Sequence, residues 1–450
     1  MAQVSMPLPL NSSATQAMER EVMRLDTNNI HTAIRPLSHF EVGHVQDSIH
    51  ESLAYDWAIN KKFPRWLFNA FFNEHFLSVK DKQGKYAIHL NPLMDLRIGG
   101  SSDLDGTPYV NSRGLQVMGH IGQNLTFYTD LYENQARLPG YVEQWINENG
   151  VIPGQGFPKV FDSQLTTAVA RDFSNATGNI SFQANEFFNF QLGHGKHFIG
   201  EGHRSMLLSD NAFNYPYLKI KTSFWKLNYV NLFTQMNHLN GLNYDNFEKK
   251  FVTSHYLSIN ATKNFNIGLF ESIVYQDSTQ TYNLNYLNPI ILYRPIEFAI
   301  GSGQSNALMG LTMSYKFKQK NIIYGQFILD EFKFDRILER NGWWANKYAF
   351  QLGFKAYDFL VPGLKFQTEF NYARPYIYSH RNVATNYGHY NQSLAHTLGA
   401  NFIESVTLLS YQNKRWFGNV EIMYALQGRD APNTNWGYNV LQSTSTREQD

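Results

Sequence analysis

The chain has 450 residues, no cysteine, and 38 basic against 37 acidic residues, for a formal net charge of +1. The missing cysteines exclude disulfides, zinc–thiolate clusters and cysteine nucleophiles, and a balanced charge with no long run of one sign lacks the footprint of a nucleic-acid binder. Aromatic residues reach 15%, with 34 Phe and 27 Tyr, yet no window approaches 18 consecutive apolar residues, so spanning helices are excluded. A lipid-facing strand hides half its residues in a polar lumen, which reconciles many aromatics with a mean hydropathy of −0.39.

The chain opens Met1-Ala2-Gln3 with no basic or apolar leader, and Ala-Gln fits a junction left after signal cleavage. Residues 1–75 predict a small helical region. "SSATQAMEREVMRL" (12–25) starts on Ser caps, "HVQDSIHESLAYDWAINKKF" (44–63) spaces Val45, Ile49, Leu53 and Trp57 at helical intervals, and "RWLFNAFFNEHF" follows Pro64.

From about residue 85 the period falls from 3.6 to 2. Tyr86, Ile88 and Leu90 alternate, and the next two runs meet across Gly122-Gln123-Asn124. "ISFQANEFFNFQL" places Phe182, Ala184, Phe188, Phe190 and Leu192 on one face, and predicts one strand whose partner precedes "SNATGN". Further tight turns are expected at 224–226, 261–264, 318–321, 358–363 and 412–414. Between them lie long connections, at roughly 99–112, 134–160, 193–217, 237–251, 276–305, 332–346 and 374–395.

Short and long connections alternate, as in a transmembrane barrel with turns at one end and loops at the other; two successive β-domains are the alternative. The prediction is therefore an all-β fold: residues 76–450 as one large antiparallel transmembrane β-barrel, of sixteen to eighteen strands. Counting from 85–98 gives about fifteen strands up to "WFGNVEIMYALQG", and a strand at 74–80 pairing across "DKQG" would change the parity. The polar ending "STSTREQD" leads us to expect that the natural protein continues with one or more closing strands.

Three stretches carry polar chemistry. "QLGHGKHFIGEGHRSMLLSDN" (191–211) fails as a phosphate loop, because His197 follows Gly195-Lys196 where Ser or Thr is needed, and Phe190 replaces the first glycine. Its His194, His197, Glu201 and His203 could ligate a metal. The favoured reading makes His194, Lys196, His203, Arg204 and Asp210 polar lining of the barrel mouth, with no metal and no cofactor. "LNPIILYRPIEFAIGSGQSNALMG" (287–310) brings Arg294 and Glu297, which with Asp330 and Glu331 could act as a hydrolase pair; charges lining the lumen are the simpler account. "NYARPYIYSHRNVATNYGHYNQSLAHTLGANF" (371–402) is rich in Tyr, His and Asn, and lies near Trp343-Trp344. This mixture suits sugar stacking and hydrogen bonding, and nominates Trp343, Trp344, Tyr376, Tyr378, His380, Tyr387, His389 and Tyr390 as polysaccharide contacts.

Across about residues 125–403, "FQLGHGKHFIGEGHRSMLLSDNAFNYPYLKI", "LNPIILYRPIEFAIG" and "YSHRNVATNYGHYNQSLAHTLGANF", supported by "LYENQARLPGYV", resemble outer-membrane barrels of the Wzi capsule-assembly type and their relatives associated with gliding motility. The resemblance implies eighteen strands, a periplasmic N-terminal helical region, extracellular loops and attachment of surface polysaccharide, without catalysis. The expected partners are surface polysaccharide, outer-membrane lipid and possible outer-membrane proteins, but no nucleic acid. The alternatives are a component of a gliding-motility, adhesion or secretion assembly, a diffusion porin, and an outer-membrane hydrolase.

Overall fold

The computed structural model describes residues 10, 19–23, 30–38, 41–42, 75–104, 106–161, 170–242, 247–277, 279–289, 305–331, 336, 342–413 and 416–448. Residues 19–23, which fall within the first of the expected N-terminal helices, are helical. The second lies outside the described residues, as does all of the third but its end. In chain order the strands are β1 (Ile34–Arg35), β2 (Leu77–Lys80), β3 (Tyr86–Ile98), β4 (Tyr109–Ile121), β5 (Leu125–Arg137), β6 (Lys159–Phe161), β7 (Ala170–Gln183), β8 (Phe188–Gly195), β9 (Phe198–Ile199) and β10 (Tyr215–Phe224). There follow β11 (Leu227–Leu239), β12 (Phe247–Asn260), β13 (Phe265–Tyr275), β14 (Ser305–Phe317), β15 (Asn321–Leu329), β16 (Tyr348–Ala356), β17 (Leu364–Ala373), β18 (Gly388–His389), β19 (Gln392–Ser393), β20 (Phe402–Asn413) and β21 (Trp416–Gln427). One helix, α1 (Gly140–Asn149), sits in the connection after β5 and ends on Gly150 in the left-handed conformation.

The antiparallel ladder follows chain order, β2-β3-β4-β5-β7-β8-β10 and on through β17-β20-β21. Short β6 adds to β7 at one end, giving a sheet of 17 strands. The fifteen strands expected from residue 85 onward are present, and β2 pairs across "DKQG". Among the described residues no register joins β21 to β2. The tight turns share one end; Trp225, Lys318 and Gln319 have φ of 53°, 53° and 54° there, the left-handed backbone that short hairpin loops require. Gly363 has φ 82°, and a Cβ there would stand 2.2 Å from the Gln412 carbonyl oxygen, so only glycine fits.

One predicted strand is corrected. "ISFQANEFFNFQL" is two strands, β7 and β8, joined by a hairpin at 184–187, and "SNATGN" lies inside β7. Asn185 Oδ1 accepts both the Phe187 and Phe188 N–H groups at 2.9 Å, an Asx turn. Alternation continues through the turn, which hid it.

The pleat sorts side chains by face. Outward stand Tyr86, Ile88, Met94, Leu131, Ile180, Phe190, Leu192, Leu218, Met313, Ile323, Leu352, Ile403 and Ile422, mostly exposed. Inward stand His89, Asn134, Ser181, Gln191, Lys219, Gln326, Gln351, Lys355, Glu369 and Glu404, all buried. Apolar outside and polar inside is the pattern of a barrel solvated by lipid. Exposed Tyr86, Phe182, Phe224, Trp225, Tyr315, Tyr411 and Trp416 gather toward the short-turn end, where an aromatic girdle belongs.

Three segments fill the lumen in tiers. Near the short turns, Glu19 takes hydrogen bonds from Lys365 Nζ at 2.9 Å and Tyr357 Oη at 2.8 Å and pairs with Lys355 at 3.3 Å. Burial opposes its ionisation, but the two ammonium groups outweigh it and hold the carboxyl well below the usual range. At mid-height β1 pairs with β9, inside the connection after β8, and Met206, Leu207 and Leu208 enter a core with Tyr256, Phe270, Leu308 and Ile328 from the wall. The Gln326 amide oxygen accepts the Met206 N–H at 2.7 Å, and Gln351 donates to the Arg204 carbonyl at 3.0 Å. Near the long loops, residues 374–401 add Ile377, Tyr378, Tyr387, Leu394 and Ala395 to the same core. Each buried Leu or Phe contributes on the order of 1.5–3 kcal/mol, so the interior is packed like a soluble protein.

One sector of the outer wall departs from the apolar rule. Asn231, His255 and Glu271 occupy one register row across β11, β12 and β13, on the outward side, yet all are buried. Residues 279–289 lie over them: Tyr282 packs on Phe251 and Tyr275 and hydrogen-bonds Thr253, and Tyr286 stacks on Tyr275 at 3.8 Å.

Candidate binding surface at the long-loop rim

The predicted contacts divide by burial. Tyr376, Tyr378, Tyr387 and His389 are at most 2% exposed, and His380 is buried too; this corrects their reading as surface contacts. Loop 374–401 has to fill the barrel mouth, so its rings turn inward. Tyr378 donates to the Met206 carbonyl at 2.8 Å and stacks on Tyr387. The Asn237 N–H donates to His389 Nδ1 at 2.9 Å, leaving Nε2–H for the Asn214 carbonyl at 3.2 Å. Burial pushes this imidazole down to about 3, and it stays neutral. His380 Nδ1 meets Thr385 Oγ1 at 2.6 Å.

Trp343, Trp344 and Tyr390 keep exposed surface. The two indoles stand 6.4 Å apart, and Trp344 meets Tyr376 edge-on at 5.8 Å. Tyr390 lies away from them, against Phe157, Phe213 and His389.

Residues missed by the sequence reading complete the surface. After β21 the chain folds onto loop 374–401. Tyr376 donates its N–H to the Gly437 carbonyl at 2.9 Å and its Oη–H to the Asn435 carbonyl at 2.8 Å. A Cβ on Gly437, φ 83°, would come 2.5 Å from the Tyr376 nitrogen, so a glycine is required for this approach. Trp436, 49% exposed, and Tyr438 flank this glycine, whose partner Tyr376 meets Trp344 edge-on. Arg447 lies over Trp344 at 4.2 Å, Arg429 over Tyr438 at 5.9 Å, and Arg374 over Tyr348 at 5.5 Å, within cation–π range. "NTNWGYN" has the aromatic and amide composition of 371–402 and could have flagged it.

Below the rim, Asp330 is half-buried, with Oδ1 shielded from solvent and Oδ2 accepting the Tyr378 N–H at 2.9 Å. Burial raises its carboxyl to about 7 despite nearby Lys347. Glu331 instead pairs with Lys347 at 3.2 Å.

The polar candidates of 191–211 disperse. His194 shares a register row with outward Pro216 and donates Nδ1–H to the Ala176 carbonyl at 2.8 Å; it lies outside the lumen, correcting its predicted place. Lys196 bridges the carbonyls of Gly154 at 2.8 Å and Asp210 at 3.1 Å, and burial pushes its ammonium down to about 8. His203 and Arg204 do face the lumen, toward Glu369, Glu404 and Glu421. Glu201 accepts from Thr32 and His197 packs on Tyr217, so the four potential metal ligands point to different partners. Arg294 and Glu297 lie outside the described residues.

No protein-family model matches the chain, and no curated protein matches it. Among solved structures it is similar to Wzi of Escherichia coli, described as an outer-membrane protein involved in group 1 capsule assembly and a carbohydrate-binding β-barrel. The TM-score is 0.52 at 12% identity, over 91% of this chain and 84% of that one. Two Pseudomonas aeruginosa barrels, OccK9 (OpdG) and OccK8 (OprE), align at TM-scores of 0.37 and 0.34 with 10% and 11% identity, over 77% and 76% of this chain and 93% and 98% of theirs, too low to add to the argument. The chain thus has the fold of a Wzi-type transmembrane β-barrel.

Proposed function

We propose that the protein is an outer-membrane β-barrel of a Gram-negative bacterium that binds a surface polysaccharide without acting on it chemically. Its long loops face outward from the cell and its N-terminal segment faces the periplasm. The observation that carries the reading is the division of aromatic residues. The lumen is packed by three tiers of chain, which disfavours a diffusion pore, while Trp343, Trp344, Trp436 and Tyr438 stay accessible at the long-loop rim. Ring faces at such a rim pack on sugar C–H surfaces, and the adjoining amides and guanidinium groups bind hydroxyls. The carbohydrate binding described for Wzi supports the same reading.

Affinity electrophoresis of the purified barrel in gels containing the producing cell's own capsule tests this. The wild type is expected to be retarded, and Trp343→Ala with Trp436→Ala to run freely. Equal retardation of both would sink it, and a stoichiometric protein partner recovered from outer membranes without any glycan affinity would favour an assembly role.

A further inference from the structure

Resting on that carbohydrate reading, we infer that the glycan taken by this rim is anionic, bearing uronate or phosphate groups. The arginines carry the argument. Four arginines pair with carboxylates, Arg20 with Asp358, Arg97 with Asp95, Arg171 with Glu143, and Arg204 with Glu404, while Arg35 in the lumen is held by the Gly200 and Gly202 carbonyls. Arg374, Arg381, Arg429 and Arg447 have no carboxylate partner among the described residues.

Contacts between the C-terminal segment and loop 374–401 collect these four arginines on one surface. Ser443 Oγ donates to the Arg381 carbonyl at 2.7 Å, the Thr444 N–H to the His380 carbonyl at 3.3 Å, and the Gly428 N–H to the Asn401 carbonyl at 3.0 Å. The Asn401 N–H in turn reaches the Arg374 carbonyl at 3.3 Å.

The local carboxylates are bound to other partners. Asp430 is engaged by the N–H groups of Trp436 at 2.7 Å, Tyr438 at 3.5 Å and Asn439 at 3.4 Å, and Glu331 by Lys347. Among the described residues of the segment Glu448 is exposed and Asp430 half-buried.

Two of the guanidinium groups are held in place. Arg447 is stacked on Trp344, donates to the Thr444 carbonyl at 3.3 Å, and keeps its Nε unpartnered and buried. Arg374 is braced by the carbonyls of Asn346 at 3.0 Å and Gly342 at 3.1 Å. A planar guanidinium fixed by stacking, with donors to spare, matches carboxylate or phosphate oxygens. A neutral sugar would leave four charges to water.

The full-length barrel in detergent is run on alginate, dextran and lipopolysaccharide in parallel, at about 50 and about 500 mM salt. Retention on alginate but not dextran is expected, weakening at high salt as screened charges do, and falling about tenfold in Arg429→Gln with Arg447→Gln. Arg97→Gln, remote from the rim, should bind as the wild type. Migration of the unheated barrel on gels verifies folding, and Arg429→Lys with Arg447→Lys should recover part of the loss. Salt-insensitive binding to dextran as strong as to alginate overturns the anionic inference and leaves the carbohydrate reading standing. Binding to neither overturns both. Retention by lipopolysaccharide alone assigns the arginines to membrane phosphates and overturns the inference.

Discussion

The wall formed by β14 to β17 with β20 and β21 and the wall of β11 to β13 are made of the same alternating strands, but they face different surroundings. On the first, Met313, Ile323, Leu352 and Ile422 stand bare. On the second, Asn231, Thr253, His255, Glu271 and Ile273 are buried beneath residues 279–289. Glu271 lies six residues above Phe265 in β13. At about 3.3 Å per residue and a tilt of about 40°, that is ~15 Å up an apolar band about 25 Å tall. Polar groups at that depth need protein cover, and the chain supplies it from its own connection. Alternation says which residues leave the lumen, but not whether lipid or protein meets them.

Four experiments would break or sharpen this contrast. Ile273→Ala opens a cavity under the covering segment and should cost about 2–5 kcal/mol by urea unfolding in liposomes; the matched Ile323→Ala on the bare wall should cost far less, and equal losses would mean that the cover does not pack. Leu352→Arg places a charge against lipid and should cost about 2–4 kcal/mol, read by the same unfolding.

The third concerns Asp330, where the bare wall ends at the mouth. Its folded carboxyl titrates near 7, above the ordinary carboxylate range. The folded state therefore holds the proton more tightly, and stability should fall as pH rises from about 4 to about 7, by at most about 1.4 kcal/mol per pH unit. Asp330→Asn, which can still accept the Tyr378 N–H, should flatten that slope; an unchanged slope would acquit Asp330. Smallest is Tyr282→Phe, which removes the hydroxyl contact with Thr253 for about 0.5–1.5 kcal/mol. No change would show that ring packing alone holds the segment down.

Much of the barrel was legible because its signals are local. Period-two alternation fixed the strands from Tyr86 to Gln427 and which side chains share a face, and Asn-, Gly- and Lys-rich dipeptides marked most short turns. The hairpin at 184–187 escaped because Ala184 and Glu186 keep the alternation through it, and the outward polar row escaped because its three members lie on three strands.

The rim was only half legible. The aromatic richness of 371–402 pointed to the right end of the barrel, but burial reversed the roles of its residues. Tyr376 and Tyr378 adopt φ of 65° and 70°, uncommon for non-glycine residues, and both are buried in the mouth. Trp436, Arg429 and Arg447 come to the rim from a segment that composition alone had marked as a polar end.

By itself, then, the sequence determined a transmembrane barrel, the order of its strands and the end that carries its long loops, since each follows from a period or a turn a few residues long. Tertiary structure decided which segments fill the lumen, which wall is covered and which aromatics and arginines remain at the surface. Those outcomes depend on contacts between residues far apart in the chain, such as Arg447 on Trp344 and Tyr282 on Phe251, and no local pattern encodes them.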